Sequence, residues 1–417
     1  MDQRPLRILY HHRIAASDGM RVHITEVVAA LRSQGHLVCV VGPTSADEAQ
    51  TAGASSQLER ATDLLRRRLP PAVFELLELT YNIPAYLRLR SQARAFRPDV
   101  LYERYNLFLL AGLLLRRRHR LPMLLEVNSP LAAERGSFGK LQLTSVARAC
   151  ETALWRGADA VLPVTEVLAA EVRRARVGPE GVHVIANGAD PRRFPAAGAS
   201  ARLRRDLGLP TAAVVLGFVG FVRDWHGVGW AVEALPRLPP EVHLLIVGDG
   251  PSLPHLQARA EALGVSARLH CVGRVPHPRV AAYTQAFDIA LQTASTPYAS
   301  PLKLFEYMAL GRAIIAPDQP NIREVLADGR NALLFTVGCQ ASFAAALLRL
   351  CGDIALRREL GAEARRTVEQ TPYTWAHNAG RIAALARAAR TTRAFSSEVG
   401  SGSRKENAQK QKPRAPA

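Results

Sequence analysis

The sequence predicts an α/β fold of two doubly wound parallel sheets, on three observations. A strand, a loop, an amphipathic helix and a second strand follow one another at the start of the chain. A fresh series of short apolar strands separated by helical stretches begins at Val214. Between them, residues 195–210 turn rich in Ala, Arg, Pro and Gly, as a linker does. Strands alternating with helices call for parallel sheets, and 417 residues suit two domains.

The elements follow in order. Residues 7–10 are the first strand. The loop after it holds Gly19. Val22, Val27, Ala30 and Leu31 then mark one face of a helix over 22–34, which Gly35 caps. LVCVVGP from Leu37 is the second strand. Such sheets bind ligands at a loop like the one holding Gly19, where a residue without a side chain lets a ligand approach. The spacing is not G-x-G-x-x-G, so it is no dinucleotide fingerprint. Residues 61–96 read as helical, with Arg66, Arg67, Arg68, Arg88, Arg90 and Arg94 among leucines. That is a solvated face or an interfacial amphipathic surface.

Next come a strand at 99–104, a helix at 107–118 running into the basic stretch 116–120, and a strand at 122–127. A helix closes at 151–157, with strands at 160–164 and 182–185. Asn187-Gly188-Ala189-Asp190 reads equally as a plain turn or a cleft wall. The second series has strands at 214–219, 242–247, 269–272, 288–291, 312–316 and 333–335. Asp249-Gly250-Pro251 ends one of them as a ligand-facing turn would. The expected division is an N-terminal domain 1–195, a linker 196–210 and a C-terminal domain 211–372. A helix at 373–390 crosses back to the first domain, and a disordered basic tail spans 391–417.

Composition narrows the function. The hydrophobic fraction of 48% is that of a globular protein, and no 18 apolar residues run together. The start, MDQRPLRILYHHR, lacks a signal-peptide core, so a cytoplasmic protein is expected. Five scattered cysteines without a C-x-x-C pair argue against disulfides and zinc. A net charge of +18 implies an anionic partner: nucleic acid, a phosphorylated substrate or a membrane face. No nucleophile elbow, Walker A loop or Cys/His cluster is present. His11-His12 are not expected to hold a metal, and His23 with Glu26 reads as a surface pair one helical turn apart. Trp225 either stacks on a sugar or packs against its domain.

The most informative stretch is TPYASPLKLFEYMALGRAIIAPDQPNIREVLADG, residues 296–329. Ser300 then Pro301 reads as an N-cap serine and a proline at the first helical position. Helix formers run to Leu310, Gly311 supplies the left-handed cap, and Asn321 starts a second helix. The first helix opens with free amides at Leu302 and Lys303, and the Lys303 charge adds to the positive end of its dipole, a ready anion site. Glu306, one turn on, offers a carboxylate to a hydroxyl. Phosphate plus diol points to a nucleotide.

Taken together, DGMRVHITEVVAALRSQGHLVCVV, VIANGADPRRF, GFVGFVRDWHGV, LLIVGDGP, VGRVPHPRVAAYTQAFDIAL and SPLKLFEYMALGR resemble the retaining glycosyltransferases of family 4. The resemblance runs almost end to end. It implies the GT-B fold, in which two Rossmann-like domains face a cleft. YERYNLFLLAG and LLEVNSPLAAER look like a branch that builds bacterial surface polysaccharides. The implied reaction moves a sugar from a nucleotide diphosphate to a glycan or lipid-linked hydroxyl, with no metal and no cofactor. UDP-sugar is the default donor and a guanosine donor the runner-up.

The resemblance implies roles for particular residues. Arg223 and Lys303 neutralise the leaving diphosphate, because one helix terminus supplies only about 0.3–1 kcal/mol, or about 2 when partly buried. Ser300, Pro301, Leu302 and Gly19 line the phosphates, Glu306 contacts the ribose, and Arg274 and Val275 flank the base. The pattern also departs from the family. Tyr298 replaces the first glutamate of the E-x7-E motif, and Pro301 stands where glycine is common. His226 holds a slot usually given to lysine. Glu126, Val127 and Asn128 stand where a histidine is expected, and Asn128 can orient a hydroxyl but cannot act as a base. These departures imply either a changed donor or weakened catalysis. The basic N-terminal domain, through Arg66–Arg68 and Arg116–Arg120, is expected to meet an anionic membrane. Two other functions compete: a nucleotide-sugar epimerase of the same fold, and a basic nucleic-acid-binding protein. Tyr298 counts against the first. Aromatics at only 6% count against the second, so no nucleic-acid partner is expected.

Overall fold

The computed structural model describes residues 4–14, 19–43, 68–137, 141–193, 199–370 and 372–410. The first part of the chain contains β1 (Arg7–His11), α1 (Gly19–Ser33), β2 (Leu37–Val41), α2 (Pro71–Thr80), α3 (Asn82–Phe96) and β3 (Val100–Arg104). It continues with α4 (Ala111–His119), β4 (Met123–Val127), α5 (Leu131–Ser137), α6 (Thr144–Gly157), β5 (Ala160–Pro163) and α7 (Glu166–Arg174). All pairings among β1–β5 are parallel, in the order β2-β1-β3-β4-β5.

After α8 (Ala199–Asp206) come β6 (Val214–Val219), α9 (Gly229–Ala234), β7 (Val242–Val247), α10 (Leu253–Ala262), β8 (Leu269–Cys271), α11 (His277–Gln285) and β9 (Ile289–Leu291). Then follow α12 (Leu302–Ala309), β10 (Ala313–Asp318), α13 (Pro320–Arg323), β11 (Leu333–Thr336), α14 (Gln340–Gly352), α15 (Ile354–Gln370) and α16 (Trp375–Lys410). These strands form a second parallel sheet, ordered β11-β10-β9-β6-β7-β8. Every residue of β3, β4 and β7 is buried, as in sheets covered by helices on both faces.

Each strand order reverses once, between β1 and β3 and between β6 and β9. Ligands of open parallel sheets sit beyond the strands' carboxyl ends at such reversals. Those ends present His11 and Glu103 in the first sheet, and Gly220 and Gln292 in the second. The helix α16 packs on the first sheet. Trp375, Ala379 and Ile382 join the core of Ile8, Tyr10 and Leu124, and Arg390 and Arg393 pair with Asp99 at 3.3 Å and Asp159 at 2.7 Å.

Several sequence expectations need correction. The span 182–185 is not a strand, although His183 N–H donates to Val161 O at 3.0 Å and Ile185 N–H to Pro163 O at 2.9 Å. Proline has no N–H to return a bond, so the ladder with β5 stays at one bridge. The helix expected over 61–96 is two helices meeting at Tyr81, and residues 61–67 lie outside those described. The span expected to be a linker contains α8, whose Ala and Arg are good helix formers. The tail expected to be disordered from Thr391 continues α16 to Lys410, and 411–417 lie outside those described. All five cysteines are free thiols.

Candidate functional site

The helix α12 anchors the site. Leu304, Phe305, Tyr307 and Met308 bury one side of it in the second domain, and Gly311 takes the left-handed cap at φ +63°. The helix starts at Leu302, with Pro301 (φ −68°, ψ 119°) before it and no side-chain cap. The expected serine cap is therefore wrong. Ser300 is occupied elsewhere: its Oγ accepts from the Asn187 amide at 3.1 Å, and its carbonyl accepts from Asn187 Nδ2 at 2.5 Å. Asn187 thus belongs to the cleft wall. Asn321 does not start a helix either. It lies inside α13, and its Nδ2 donates to Thr296 O at 3.1 Å and Ala299 O at 2.7 Å. These amides hold the approach to α12 rigidly and leave its first-turn N–H groups uncapped. That is how a helix terminus receives an anion.

Lys303 and the loop after β6 supply charge beside that terminus. Lys303 Nζ lies 3.9 Å from the Phe218 ring centroid. Burial pulls its pKa down to about 7, only partly offset by Glu306. Gly220 is the reason the ammonium can come so close: a Cβ there would stand 3.3 Å from Nζ. His226 Nδ1 accepts from the Arg223 amide at 3.2 Å. Burial, then the positive charges of Lys303 and Arg223, push its pKa down to about 3. His226 is therefore neutral and does not supply the charge of the lysine it replaces. The cations at this corner are Arg223, exposed with its guanidinium 5.0 Å from the Phe221 ring centroid, and Lys303. Trp225 is 52% exposed and lies against His226, with ring centroids 3.8 Å apart and the rings tilted by 39°.

Glu306 lies one turn into α12, with its Oε1 3.4 Å from His277 Nε2. The two help line a cavity of about 310 Å³ that also touches Asp190, Leu302, Glu26 and Trp375. Arg274 and Val275 sit in the loop just before His277, with Arg274 exposed. Sequence reading missed His277, whose only signal was its place ahead of Pro278 at a helix start.

The first domain closes the other side. A Cβ on Gly19, at the start of α1, would lie 3.6 Å from Leu302 Cδ1, so the two helix N-termini face each other across the cleft. His11 Nδ1 hydrogen-bonds Glu103 Oε2, and both are buried. The pair His23 and Glu26 is not a surface pair, since both are buried. His23 Nδ1 lies 2.9 Å from Arg104 Nη1. Arg104 donates to Glu126 at 2.5 Å, and Tyr102 donates to it at 2.7 Å. Burial raises the Glu126 pKa, but the Arg104 charge and hydrogen bonds from Asn128 and Tyr102 outweigh it and hold the carboxyl below its usual range. His23 is pushed down to about 4, mainly by burial. The charge pair is therefore Arg104 with Glu126, beside a neutral imidazole. Asn128 Nδ2 is spent on Glu126 at 2.5 Å, so the carboxylate fixes its orientation.

Tyr298 reaches into the first domain. It packs against that domain's core, hydrogen-bonds Glu134 and accepts at its carbonyl from Thr165 Oγ1 at 2.9 Å. Burial, with Glu134 beside it, raises its pKa. Glu324 crosses nearby and caps α7 through the amides of Glu166 and Val167, at 2.9 and 3.2 Å. In this structure Tyr298 ties the domains together where the family pattern puts a carboxylate.

Residues 17–193 match the model of Glycosyltransferase Family 4, and residues 213–353 match that of Glycosyl transferases group 1. The chain belongs to the family 4 glycosyltransferases. This glycosyltransferase is 28% identical to D-inositol 3-phosphate glycosyltransferase of Corynebacterium glutamicum, over 69% of its own length and 71% of the relative's. It is 28% identical to the GDP-mannose-dependent alpha-mannosyltransferase of Mycobacterium tuberculosis, over 77% and 81%. The fold is GT-B. Among solved structures it resembles Anabaena HepE in complex with UDP-glucose, with a TM-score of 0.71 and 19% identity, covering 91% of this chain and 99% of that one. WaaG, a glycosyltransferase of lipopolysaccharide biosynthesis, gives 0.65 at 16%, covering 90% and 99%.

Proposed function

We propose that this glycosyltransferase moves a sugar from a nucleoside diphosphate to a hydroxyl of a glycan or lipid-linked acceptor, retaining the anomeric configuration, in cell-surface glycoconjugate synthesis. One observation carries the reading: the uncapped start of α12, with Lys303 and Arg223 beside it and Glu306 one turn further in. As the glycosidic bond breaks, negative charge gathers on the leaving diphosphate. Fixed donors and cations aimed there lower the barrier without reorganising. Lys303, Arg223 and the amides of Leu302 and Lys303 take that role, so the chemistry needs no metal and no bound cofactor. Glu306 accepts from the ribose hydroxyls, Gly19 leaves room for the phosphates, and Arg274 and Val275 flank the base. Asn128, fixed by Glu126, orients a hydroxyl.

A uridine donor is favoured, in line with the UDP-glucose held by HepE. Guanosine comes second, in line with the GDP-mannose-dependent relative. The acceptor is presented at the cytoplasmic face of a membrane, where anionic lipid attracts each nearby Lys or Arg by about 1 kcal/mol. Neither an epimerase nor a nucleic-acid-binding role is favoured. Calorimetry with UDP, GDP, ADP and dTDP tests the reading. One of them should bind, and Glu306→Ala should weaken it about tenfold to a hundredfold, the loss of hydrogen bonds to a charged acceptor. Binding of none would remove the donor site.

A further inference from the structure

The helix α2 buries charge and exposes apolar surface. Its two carboxylates point inward: Glu75 accepts from the amides of Gln142 and Leu143 at 2.8 and 2.7 Å, and Glu78 takes a two-pronged bond from Arg135 at 2.6 and 3.1 Å. Phe74 and Leu79 pack inward beside them, while three of its aliphatic residues point outward. Val73 is 42% exposed, Leu76 53% and Leu77 45%, and the stripe continues on α3 with Ile83 at 66% and Leu87 at 56%. A lone exposed leucine needs no explanation, but five exposed aliphatic side chains, at helical spacing on each of two consecutive helices, mark an interaction face.

The charge around this face selects the partner. The helix α3 contains no acidic residue, and past Leu87 it presents Arg88, Arg90 and Arg94. The neighbouring α4 packs against it and adds Arg117 and Arg118, both exposed, so that Arg90, Arg94 and Arg118 crowd around His119. Arg68 is exposed just ahead of α2. An aliphatic stripe bordered by arginines, with its own carboxylates turned inward, fits a bilayer with anionic headgroups. The membrane contacts expected from sequence shift accordingly. Arg116 is spent on Asp159 at 3.0 and 3.1 Å, and Arg66 and Arg67 lie outside the described residues.

We infer that α2 and the first half of α3 insert their aliphatic stripe into the headgroup boundary of an anionic membrane, while the arginines of α3 and α4 pair with lipid phosphates. The inference rests on the membrane-side acceptor proposed above and names the surface that does the docking. The full chain is floated with vesicles of phosphatidylglycerol and phosphatidylcholine, and with phosphatidylcholine alone. It should float with the anionic vesicles and much less with the neutral ones, and salt should weaken the binding without abolishing it. The double variant Leu77→Gln/Ile83→Gln should partition about tenfold less or worse, and Arg94→Gln/Arg118→Gln should lose the preference for anionic lipid. Nucleoside diphosphate binding, measured on the same samples, should be unchanged, which separates failure of the docking surface from failure of the donor site. Equal flotation of the Leu77/Ile83 variant, or no flotation of the unaltered chain, would overturn the inference. So would a dimer in vesicle-free sedimentation that the same variant dissolves, since the stripe would then bind a second copy.

Discussion

The proposed donor site depends most on Lys303. It stands against Phe218, beside a glycine that admits it and close to the charge of Arg223. Replacing it by methionine keeps the length and the apolar packing but removes the cation. We expect kcat/KM for the donor sugar to fall by roughly a hundredfold to a thousandfold, the usual effect of deleting one preorganised donor. A fall below about fivefold in steady-state kinetics would place the diphosphate elsewhere. At this scale the sequence was partly legible. Gly311, Lys303 and Glu306 read correctly as parts of a helix start and stop, because the signals for these lie within one turn. Ser300 did not, because its hydroxyl is claimed by Asn187, 113 residues away. His23 and Glu26 looked like a surface pair because helical spacing says nothing about a buried arginine arriving from β3.

The loops after β6 and β7 illustrate the element scale. Gly220 and Gly248 have φ of +137° and +140°, and a Cβ on Gly248 would lie 2.0 Å from the Gly220 carbonyl oxygen. The two strand ends therefore touch backbone to backbone, which sets the height of the Arg223 loop above α12. Gly248→Ala meets both a steric clash and a disfavoured backbone. It should cost at least about 2 kcal/mol in urea unfolding and weaken donor binding with it. Stability unchanged within error would mean that the two loops are independent. Strands were the most legible elements, since short apolar runs bounded by turns need only local pattern. The exception at 182–185 came from Pro163 on the neighbouring strand, and α8 was hidden because Ala and Arg suit both a linker and a helix.

At the scale of the whole molecule, two separate parallel sheets meet through the loops and helix starts that line the cleft, and α16 returns from the second domain to brace the first. Cleft contacts join residues far apart in sequence: Thr165 with Tyr298, Glu166 with Glu324, and Gly19 with Leu302. Two doubly wound sheets were predictable from strand–helix alternation. These pairings were not, because nothing in local spacing records which loop faces which. The departure at Tyr298 could be read from sequence only as a lost carboxylate, whereas the structure shows what the phenol does in its place.

The central claim is that the leaving diphosphate meets the Lys303 ammonium, and its protonation makes that measurable. With a pKa near 7 in the free cleft, Lys303 is mostly neutral at pH 8. A diphosphate favours the charged form and raises the pKa again, so binding must take up a proton, and affinity must fall as pH rises above 7. Calorimetry of the tightest nucleoside diphosphate at pH 8, in buffers of different ionisation enthalpy, counts that proton directly. We predict uptake of roughly half a proton or more per site, lost in Lys303→Arg, whose guanidinium is already charged. No uptake in the unaltered protein, or the same uptake in Lys303→Arg, would contradict the account.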